Sequence, residues 1–161
     1  MANDALLRLE GVSKIFDTGT IGLDNVTLDI ANGEFVSLLG PSGCGKTTSL
    51  RVMAGFEAPT SGRVLLDGND ITALRPYDRP LNTVFQDYAL FPHMNVAENV
   101  GFGLSLRKLS SAETEKKVKE ALELVGLSDK IRARVSMLSG GQRQRVALAR
   151  ALVCSPRVLL L

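Results

Sequence analysis

The feature of the sequence that most restricts its fold is the segment GPSGCGKT at residues 40–47. It follows the apolar run FVSLL and precedes residues 46–55, a pattern typical of a helix that ends at Gly55. The segment fits G-x-x-x-x-G-K-[ST], in which glycines let consecutive backbone N–H groups converge on phosphate oxygens. Four fixed positions match by chance at about one site in 10⁴ to 10⁵. We therefore predict a buried strand, a phosphate-binding loop and a helix, in that order.

The polar residues of this segment have separate predicted roles. The Lys46 ammonium supplies a positive charge for the β- and γ-phosphates, and the Thr47 hydroxyl completes the coordination shell of Mg²⁺. The helix that begins at Lys46 adds the partial positive charge of its N-terminus. Cys44 is either a redox-sensitive thiol or a small residue whose backbone matters, and we favour the second interpretation.

Strand patterns dominate the first 90 residues. Short runs rich in Leu, Val and Ile predict strands at 6–12, 25–30, 62–67 and 82–86. Asn32-Gly33 predicts a two-residue hairpin turn that leads into the strand EFVSLLG. Asp67-Gly68 predicts a second turn, directly after the strand at 62–67.

From about residue 92 the pattern becomes helical. Ser110 and Glu113 form a capping-box signature, and Gly126 ends the helix that it opens. A last helix is predicted from Ser139 to Val153, followed by the closing strand RVLLL. Strands with helices between and after them predict an α/β fold.

Composition and charge exclude several classes of protein. The chain has 161 residues, and no apolar stretch approaches the roughly 18 residues of a membrane span. The two cysteines form no metal or disulfide spacing and fit a reducing compartment. Residues 1–102 carry 7 Lys/Arg and 12 Asp/Glu, whereas residues 103–161 carry 12 and 5. This basic half lacks the interleaved aromatic residues of nucleic-acid modules, so we predict no nucleic-acid partner and favour a solvated helix surface over an anionic partner.

A second candidate anion site lies at the start of the last helix. The segment LSGGQ at residues 138–142, here called the signature, offers Ser139 as an N-cap and two glycines that leave the first N–H groups uncovered. Taken alone, it is either an anion site or a flexible helix start. The phosphate loop about 90 residues upstream favours the first.

Together, GPSGCGKTT and LSGGQRQRVALARAL resemble the ATP-binding subunits of ATP-binding-cassette (ABC) transporters. The stretches DITALRPYDRPLNTVFQDYALFPHM and NVAENVGFGL are most similar to importers of polyamines such as spermidine and putrescine. Related importers of iron, sulfate and sugars share much of this sequence, so a related small solute is the alternative. The resemblance implies an α/β P-loop NTPase of ABC type with an antiparallel β subdomain, a nucleotide-binding core and a helical subdomain. The implied divisions are 1–91 through the glutamine loop, 92–138 for the helical subdomain, and 139–161 for the signature helix and the following strand.

The resemblance also assigns residues to ATP and Mg²⁺. Phe16 would stack on adenine, with a core aromatic as the alternative, and Gln86, at the end of a strand, would reach Mg²⁺ and the attacking water. The residues implied in the phosphate loop are Gly40, Pro41, Ser42, Gly43, Cys44, Gly45, Lys46, Thr47 and Thr48. The signature residues implied to contact ATP bound by the opposite subunit of a head-to-tail dimer are Ser139, Gly140, Gly141 and Gln142.

A membrane partner is implied by the residues that follow Gln86. Tyr88, Phe91, Pro92 and His93 match the region where the family docks on transmembrane permease subunits, which implies a peripheral protein at the cytoplasmic face of the plasma membrane. His93 is the single histidine. A catalytic base is the other interpretation of it, and we favour a contact residue.

The strand RVLLL matches the family strand that runs into Asp-Glu, and the sequence ends at Leu161 before either residue. We therefore expect this chain alone to bind ATP weakly, to show negligible turnover and to self-associate. A non-catalytic nucleotide-binding module is one alternative function. An ABC-type ATPase of DNA maintenance is the other, and it is disfavoured because only 52 positions separate Gln86 from Leu138, without heptads or cysteine pairs.

Overall fold

A computed structural model of the protein describes residues 5–105, 107 and 109–161. The chain forms two compact units, one that ends at Pro80 and one that begins at Leu81. The functional division predicted at residues 91 and 138 stays a prediction. The elements of the described residues are β1 (Ala5–Ile15), β2 (Ile21–Ala31), α1 (Lys46–Ala54), β3 (Ser61–Leu66), β4 (Asn69–Asp70), β5 (Leu81–Thr83), α2 (Val96–Ser105), α3 (Ser111–Leu124), α4 (Gly140–Leu152) and β6 (Val158–Leu160), with 3₁₀ turns at Pro76–Asp78, Ser128–Lys130 and Val135–Met137.

The first unit is built on an antiparallel sheet with the strand order β2-β1-β3-β4. The central strand β1 places Leu7 and Leu9 on its buried side, which is the alternation expected of a half-buried strand. On the exposed side the Arg8 guanidinium pairs with the Asp29 carboxylate of β2. The predicted strands at 6–12, 25–30 and 62–67 are confirmed, as is the turn at Asp67-Gly68, where both residues have positive φ.

Helix α1 confirms the helix predicted after the phosphate loop, and it ends at Gly55 in the left-handed conformation (φ 83°). Its C-terminal end is held by Arg79, which is only 5% exposed. Burial lowers the pKa of this guanidinium, and the charge of Asp70 partly offsets that effect. Arg79 donates to four backbone carbonyls, those of Val52 (2.8 Å), Met53 (2.7 Å), Thr72 (2.9 Å) and Leu74 (3.0 Å). The cation thus neutralises the negative end of the helix.

The strand predicted at EFVSLLG is not formed, and that prediction is wrong for this structure. Asn32 and Gly33 make the predicted turn, but no strand pairing involves residues 34–39 among the residues that the structure describes. Phe35 is 87% exposed and Leu39 is 88% exposed. A strand requires a hydrogen-bonded neighbour, and an apolar run without one stays extended and uncovered.

The second unit contains a pair of parallel strands. Strand β5 pairs with β6 from Leu81 opposite Val158 to Thr83 opposite Leu160, which confirms the predicted closing strand. The strand predicted at 82–86 is shorter than expected. Its pairing ends with a hydrogen bond from the Val84 N–H to the Leu160 carbonyl (2.9 Å). Gln86 therefore does not end the strand, because it lies in a turn three residues beyond it.

Helices α2, α3 and α4 supply the core of this unit and confirm the helical pattern predicted from about residue 92. Each begins with a reciprocal cap: Ser110 with Glu113 in α3, as predicted, Ser139 with Gln142 in α4, and Asn95 with Glu98 in α2. Gly126, in the left-handed conformation (φ 65°), follows α3 as predicted. The buried cluster consists of Val96, Val100, Leu104, Val118, Ala121, Leu122, Val125, Leu127, Leu138, Val146, Ala149 and Val153. None of the helices in the described part of the chain is long and apolar enough to span a membrane.

Candidate functional site

The phosphate loop, residues 40–48, lies against β2 of the first unit. Gly45 occupies the N-cap of α1 with a φ of 91°. A Cβ atom at Gly45 would lie 2.6 Å from the Gly22 carbonyl oxygen, so only glycine fits there. Since Gly45 has no side chain, it provides no side-chain acceptor for the first N–H groups of α1. These donors remain available to an anion.

Lys46 folds back over the loop that precedes it. Its ammonium donates to the carbonyls of Gly40 (2.6 Å) and Pro41 (2.8 Å) and lies 3.4 Å from the Cys44 sulfur. The charge is therefore held within the loop, at the place where the motif requires it. To bind a phosphate, the ammonium must exchange these two carbonyls for phosphate oxygens. The sequence predicted the charge but not this internal pairing.

Phe16 and Thr48 both lie close to Gly22 of β2. A Cβ atom at Gly22 would lie 2.6 Å from Cε2 of Phe16 and 3.1 Å from Cγ2 of Thr48. The Phe16 ring is half-buried, and the Lys14 ammonium lies 5.3 Å from its centroid. The structure thus brings the predicted adenine-stacking residue and the end of the phosphate loop to the same glycine. Gly22 was not predicted, although a glycine within a strand pattern often marks such a close approach.

The residues present fit a nucleotide phosphate. The loop offers an ammonium, uncapped N–H groups and a glycine position that a side chain would fill. Thr47, exposed in the first turn of α1, offers a hydroxyl oxygen of the kind that Mg²⁺ accepts. The described residues contain no group of three or more His, Cys, Asp or Glu side chains that could hold a metal by themselves.

The signature lies in the second unit, at the start of α4. The Ser139 hydroxyl accepts from the Gln142 N–H (3.3 Å), and the Gln142 side-chain oxygen accepts from the Ser139 N–H (2.9 Å). Gly140 and Gly141 are exposed, and a Cβ atom at either would meet no atom within 4 Å. The helix start is ordered by its own cap, and its glycine backbone is open to a large ligand.

Gln86 is exposed in a turn formed by residues 86–89, here called the glutamine turn. The turn contains two consecutive non-glycine residues with positive φ, Tyr88 (63°) and Ala89 (43°). Their carbonyls accept hydrogen bonds from Arg150 of α4 at 2.8 Å and 2.7 Å. Nothing in the sequence pattern indicated this conformation or the arginine that contacts it.

The segment after the turn carries the residues predicted to meet a permease. The Phe91 ring lies 4.6 Å from that of Phe102 and 6.1 Å from that of His93, measured between centroids. Asn99, fully buried, accepts from the Phe91 N–H (2.8 Å) and donates to nearby carbonyls. An open groove of about 430 Å³ is lined by Pro92, His93, Met94, Asn95, Glu98, Arg132, Arg134 and Ser136.

Comparison with known proteins decides the family. The family model described as ABC transporter matches residues 23–161. The chain belongs to the ABC transporter family. It is 54% identical over 157 residues to the spermidine/putrescine import ATP-binding protein PotA of Bacteroides fragilis, covering 98% of this chain and 34% of that protein. It is 53% identical over 161 residues to PotA of Acetivibrio thermocellus, covering 100% of this chain and 46% of that protein. The chain thus spans less than half the length of these relatives.

Solved structures confirm the predicted fold class. The chain resembles cbiO1 from Clostridium perfringens, part of the ABC transporter complex cbiONQ, with a TM-score of 0.87 and 34% identity over 97% of this chain and 64% of that one. It resembles the dimeric ATP-binding cassette MJ0796 bound to ADP and Pi with a TM-score of 0.85 and 35% identity, over 95% and 72% of the two chains. The α/β fold of the ABC ATPases is therefore shown, and this chain covers part of it.

Proposed function

We propose that this chain belongs to the ATP-binding and ATP-hydrolysing subunit of an ABC importer and that its first unit binds Mg·ATP. The observation that carries the proposal is the phosphate loop packed on Gly22, with the Lys46 ammonium inside the loop and the Phe16 ring at the same glycine. The names of the relatives, spermidine/putrescine import proteins, support polyamines as the imported solute.

Binding of Mg·ATP would replace contacts within the phosphate loop by contacts to the nucleotide. Lys46 would leave the Gly40 and Pro41 carbonyls and donate to the β- and γ-phosphates, since an ion pair with phosphate is stronger than bonds to neutral carbonyls. The N–H groups at the start of α1 would surround the phosphates, and the Thr47 hydroxyl would bind Mg²⁺. The Phe16 ring would stack on adenine. Bound Mg·ATP supplies the phosphoryl group to be transferred.

The signature, in the second unit, would act on ATP held by another subunit. Gly140 and Gly141 are exposed and would bring their N–H groups to the γ-phosphate of ATP bound by the partner of a head-to-tail dimer. The dimeric state of the cassette MJ0796 supports this arrangement. Gln86 would orient the attacking water and contact Mg²⁺.

The groove beside His93 would receive a permease subunit, together with Tyr88 and Phe91. Its wall combines an imidazole, two arginines and a carboxylate, which offers both polar and apolar contacts to a partner helix. This contact would place the protein at the cytoplasmic face of the plasma membrane.

Negligible ATP turnover of this chain alone stays a prediction. Phosphate release from ATP, measured for the parent chain and for Lys46→Ala under the same conditions, checks it.

Calorimetric titration of the 161-residue chain with Mg·ATP tests the proposal. Lys46→Ala should weaken binding by about 100-fold or more, because it removes the charge-assisted bonds to phosphate. Arg51→Ala is the matched control, since it removes one positive charge from the exposed end of the same helix, where Arg51 pairs with Glu57 at 3.3 Å. That variant should bind as the parent does. Equal affinity in the parent and Lys46→Ala, or no binding by the parent, would contradict the proposal.

Uptake of labelled spermidine by cells that carry the gene tests the solute. Lys46→Ala should abolish this uptake, and Arg51→Ala should preserve it. Full uptake with Lys46→Ala would contradict polyamine import while leaving nucleotide binding by the first unit untouched.

A further inference from the structure

The glutamine turn is held in a conformation that its own sequence disfavours. Tyr88 and Ala89 both have positive φ, a region that crowds the Cβ atom of an L residue. Consecutive residues of this kind persist only where surrounding groups hold them. The Tyr88 N–H donates to the carbonyl of Phe85, the residue just before the turn (2.9 Å). The remaining restraint must come from outside the turn.

Arg150 of α4 supplies that restraint. One of its terminal nitrogens donates to the Ala89 carbonyl (2.7 Å) and the other to the Tyr88 carbonyl (2.8 Å). The guanidinium carbon lies 5.6 Å from the centroid of the Phe91 ring. The ion pairs found among the described residues do not include Arg150. Its fork of donors is thus directed at backbone, and partial burial lowers the pKa of the group without a carboxylate to offset the effect.

Two helices fix the segment on either side of Phe91. Arg150, near the end of α4, holds the carbonyls of residues 88 and 89, and Asn99 of α2 holds the backbone from Phe91 to Asn95. The same α4 begins at the signature, ten residues before Arg150. An α-helix of this length is a stiff connection of about 15 Å. A displacement at the signature therefore reaches Arg150 with little loss.

We propose that Arg150 is a positioning residue that joins the signature helix to the glutamine turn, so that the turn keeps its left-handed conformation and follows the motion of α4. This connection, here called the joint, consists of the hydrogen bonds from Arg150 to the carbonyls of Tyr88 and Ala89, which lie within the second unit. Its use in an ATPase cycle, where Gln86 would be moved relative to nucleotide, rests on the function proposed above.

Arg145 offers a matched control on the same helix. Its guanidinium donates to the Val125 carbonyl (3.0 Å) at the end of α3, which is a different loop. Arg145→Lys and Arg150→Lys make the same chemical change, because each keeps the charge and removes the fork of donors. Only the second should alter the glutamine turn.

Fluorine NMR of labelled tyrosine reports on the conformation of the glutamine turn. The chain contains only two tyrosines, so the Tyr88 signal is easily assigned. In the 3-fluorotyrosine-labelled chain without nucleotide, Arg150→Lys should shift or split the Tyr88 resonance by more than its linewidth. Tyr77, exposed in the first unit, is the internal control and should not change. Exchange of the Tyr88 amide should become about tenfold faster, because local opening becomes easier. An unchanged Tyr88 resonance in folded Arg150→Lys, or an equal change in Arg145→Lys, would overturn the proposal.

A measurement on the unaltered chain covers the case in which Arg150→Lys does not fold. With ¹⁵N-labelled arginine, the two terminal nitrogens of Arg150 should give separate, slowly exchanging N–H signals, because each is held by its own carbonyl. Signals averaged by free rotation would contradict the joint. A separate Mg·ATP titration tests nucleotide binding, so failure of the proposed function and failure of the joint give different results.

Discussion

The starts of α1 and α4 are both predicted anion sites, yet their local chemistry is opposite. Helix α1 begins after Gly45, which has no side chain with which to cap it, and a lysine charge lies over the preceding loop. Helix α4 begins after Ser139, which forms a reciprocal cap with Gln142, and the first two residues of the helix are glycines. The first N–H groups of α1 have no side-chain acceptor, whereas the start of α4 has one in the Ser139 hydroxyl.

The difference separates two ways of using a helix N-terminus. At α1 the first N–H groups and the lysine can all be given to phosphate, so the site favours strong binding by one chain. At α4 the cap already uses one donor, and the Arg143 guanidinium beside the exposed glycine backbone donates to the Leu138 carbonyl (3.1 Å). We therefore expect nucleotide to bind first at α1, and the signature to meet nucleotide that is already bound elsewhere.

The largest effect should come from the same substitution at the two starts. Gly45→Ala requires an L residue at a φ of 91° and places Cβ 2.6 Å from the Gly22 carbonyl oxygen, so it should destabilise the first unit by about 2–4 kcal/mol. Gly140→Ala adds Cβ in open space at a helical position and should stabilise α4 by about 0.5 kcal/mol. Urea unfolding, followed by amide exchange in each helix, measures both. Equal destabilisation by the two variants would remove the contrast.

Gly22→Ala should weaken nucleotide binding through Phe16. The new Cβ would lie 2.6 Å from the Phe16 ring, which must move away, and loss of base stacking should lower Mg·ATP affinity about tenfold. Titration calorimetry measures the change. In a double-mutant cycle, Gly22→Ala should add little to Phe16→Ala. Fully additive losses would show that Gly22 acts by another route.

Ser139→Ala removes the cap of α4 and should cost about 1 kcal/mol of stability, as is usual for a lost N-cap. Ser110→Ala, at the other capping box, should cost a similar amount. Urea unfolding of the second unit checks both. Mg·ATP affinity of the single chain should be unchanged in Ser139→Ala. A large loss of affinity would mean that the signature binds nucleotide within its own chain.

The smallest effect is a pH dependence that distinguishes the two capping boxes. The hydroxyl and N–H of Ser110 lower the pKa of Glu113 below its ordinary value of 4.5. A lowered folded-state pKa means that the cap stabilises α3 above that ordinary value and is lost as pH falls through the folded-state pKa. Gln142 does not titrate, so the start of α4 should not respond.

The Cα chemical shifts of both helix starts, followed from pH about 6 to about 3, measure this difference. Those of α3 should move toward random-coil values, while those of α4 should stay constant. Glu113→Gln should make α3 behave as α4 does. A pH-independent α3 in the parent chain would contradict the assignment.

Local signals in the sequence were sufficient for much of this structure. The predicted N-caps at Ser110 and Ser139 follow from side-chain hydrogen bonds within three residues, and the glycine helix ends follow from the tolerance of glycine for positive φ. The predicted capping box at Ser110 and the end of α1 at Gly55 are confirmed. The residues of the phosphate loop and of the signature also carried the resemblance to the ABC transporter family, which the comparisons confirm. These features depend on near neighbours, which the sequence shows directly.

Features that depend on distant partners were not predicted. EFVSLLG has a strand pattern, but no partner among the described residues pairs with it. The left-handed residues of the glutamine turn exist because Arg150, 61 positions from Ala89, holds them. A charged residue such as Arg79 is expected at the surface, yet its side chain is buried against carbonyls of α1. Pattern alone contains no information about these long-range contacts.

A map of backbone amide shifts on addition of Mg·ATP to the 161-residue chain shows which helix start binds the nucleotide. We expect the largest saturable shifts at residues 43–48, with smaller shifts at Phe16 and Gly22, and no shift from Ser139 to Gln142 while the chain is monomeric. Saturable shifts centred on the signature, with residues 43–48 unchanged, would contradict it.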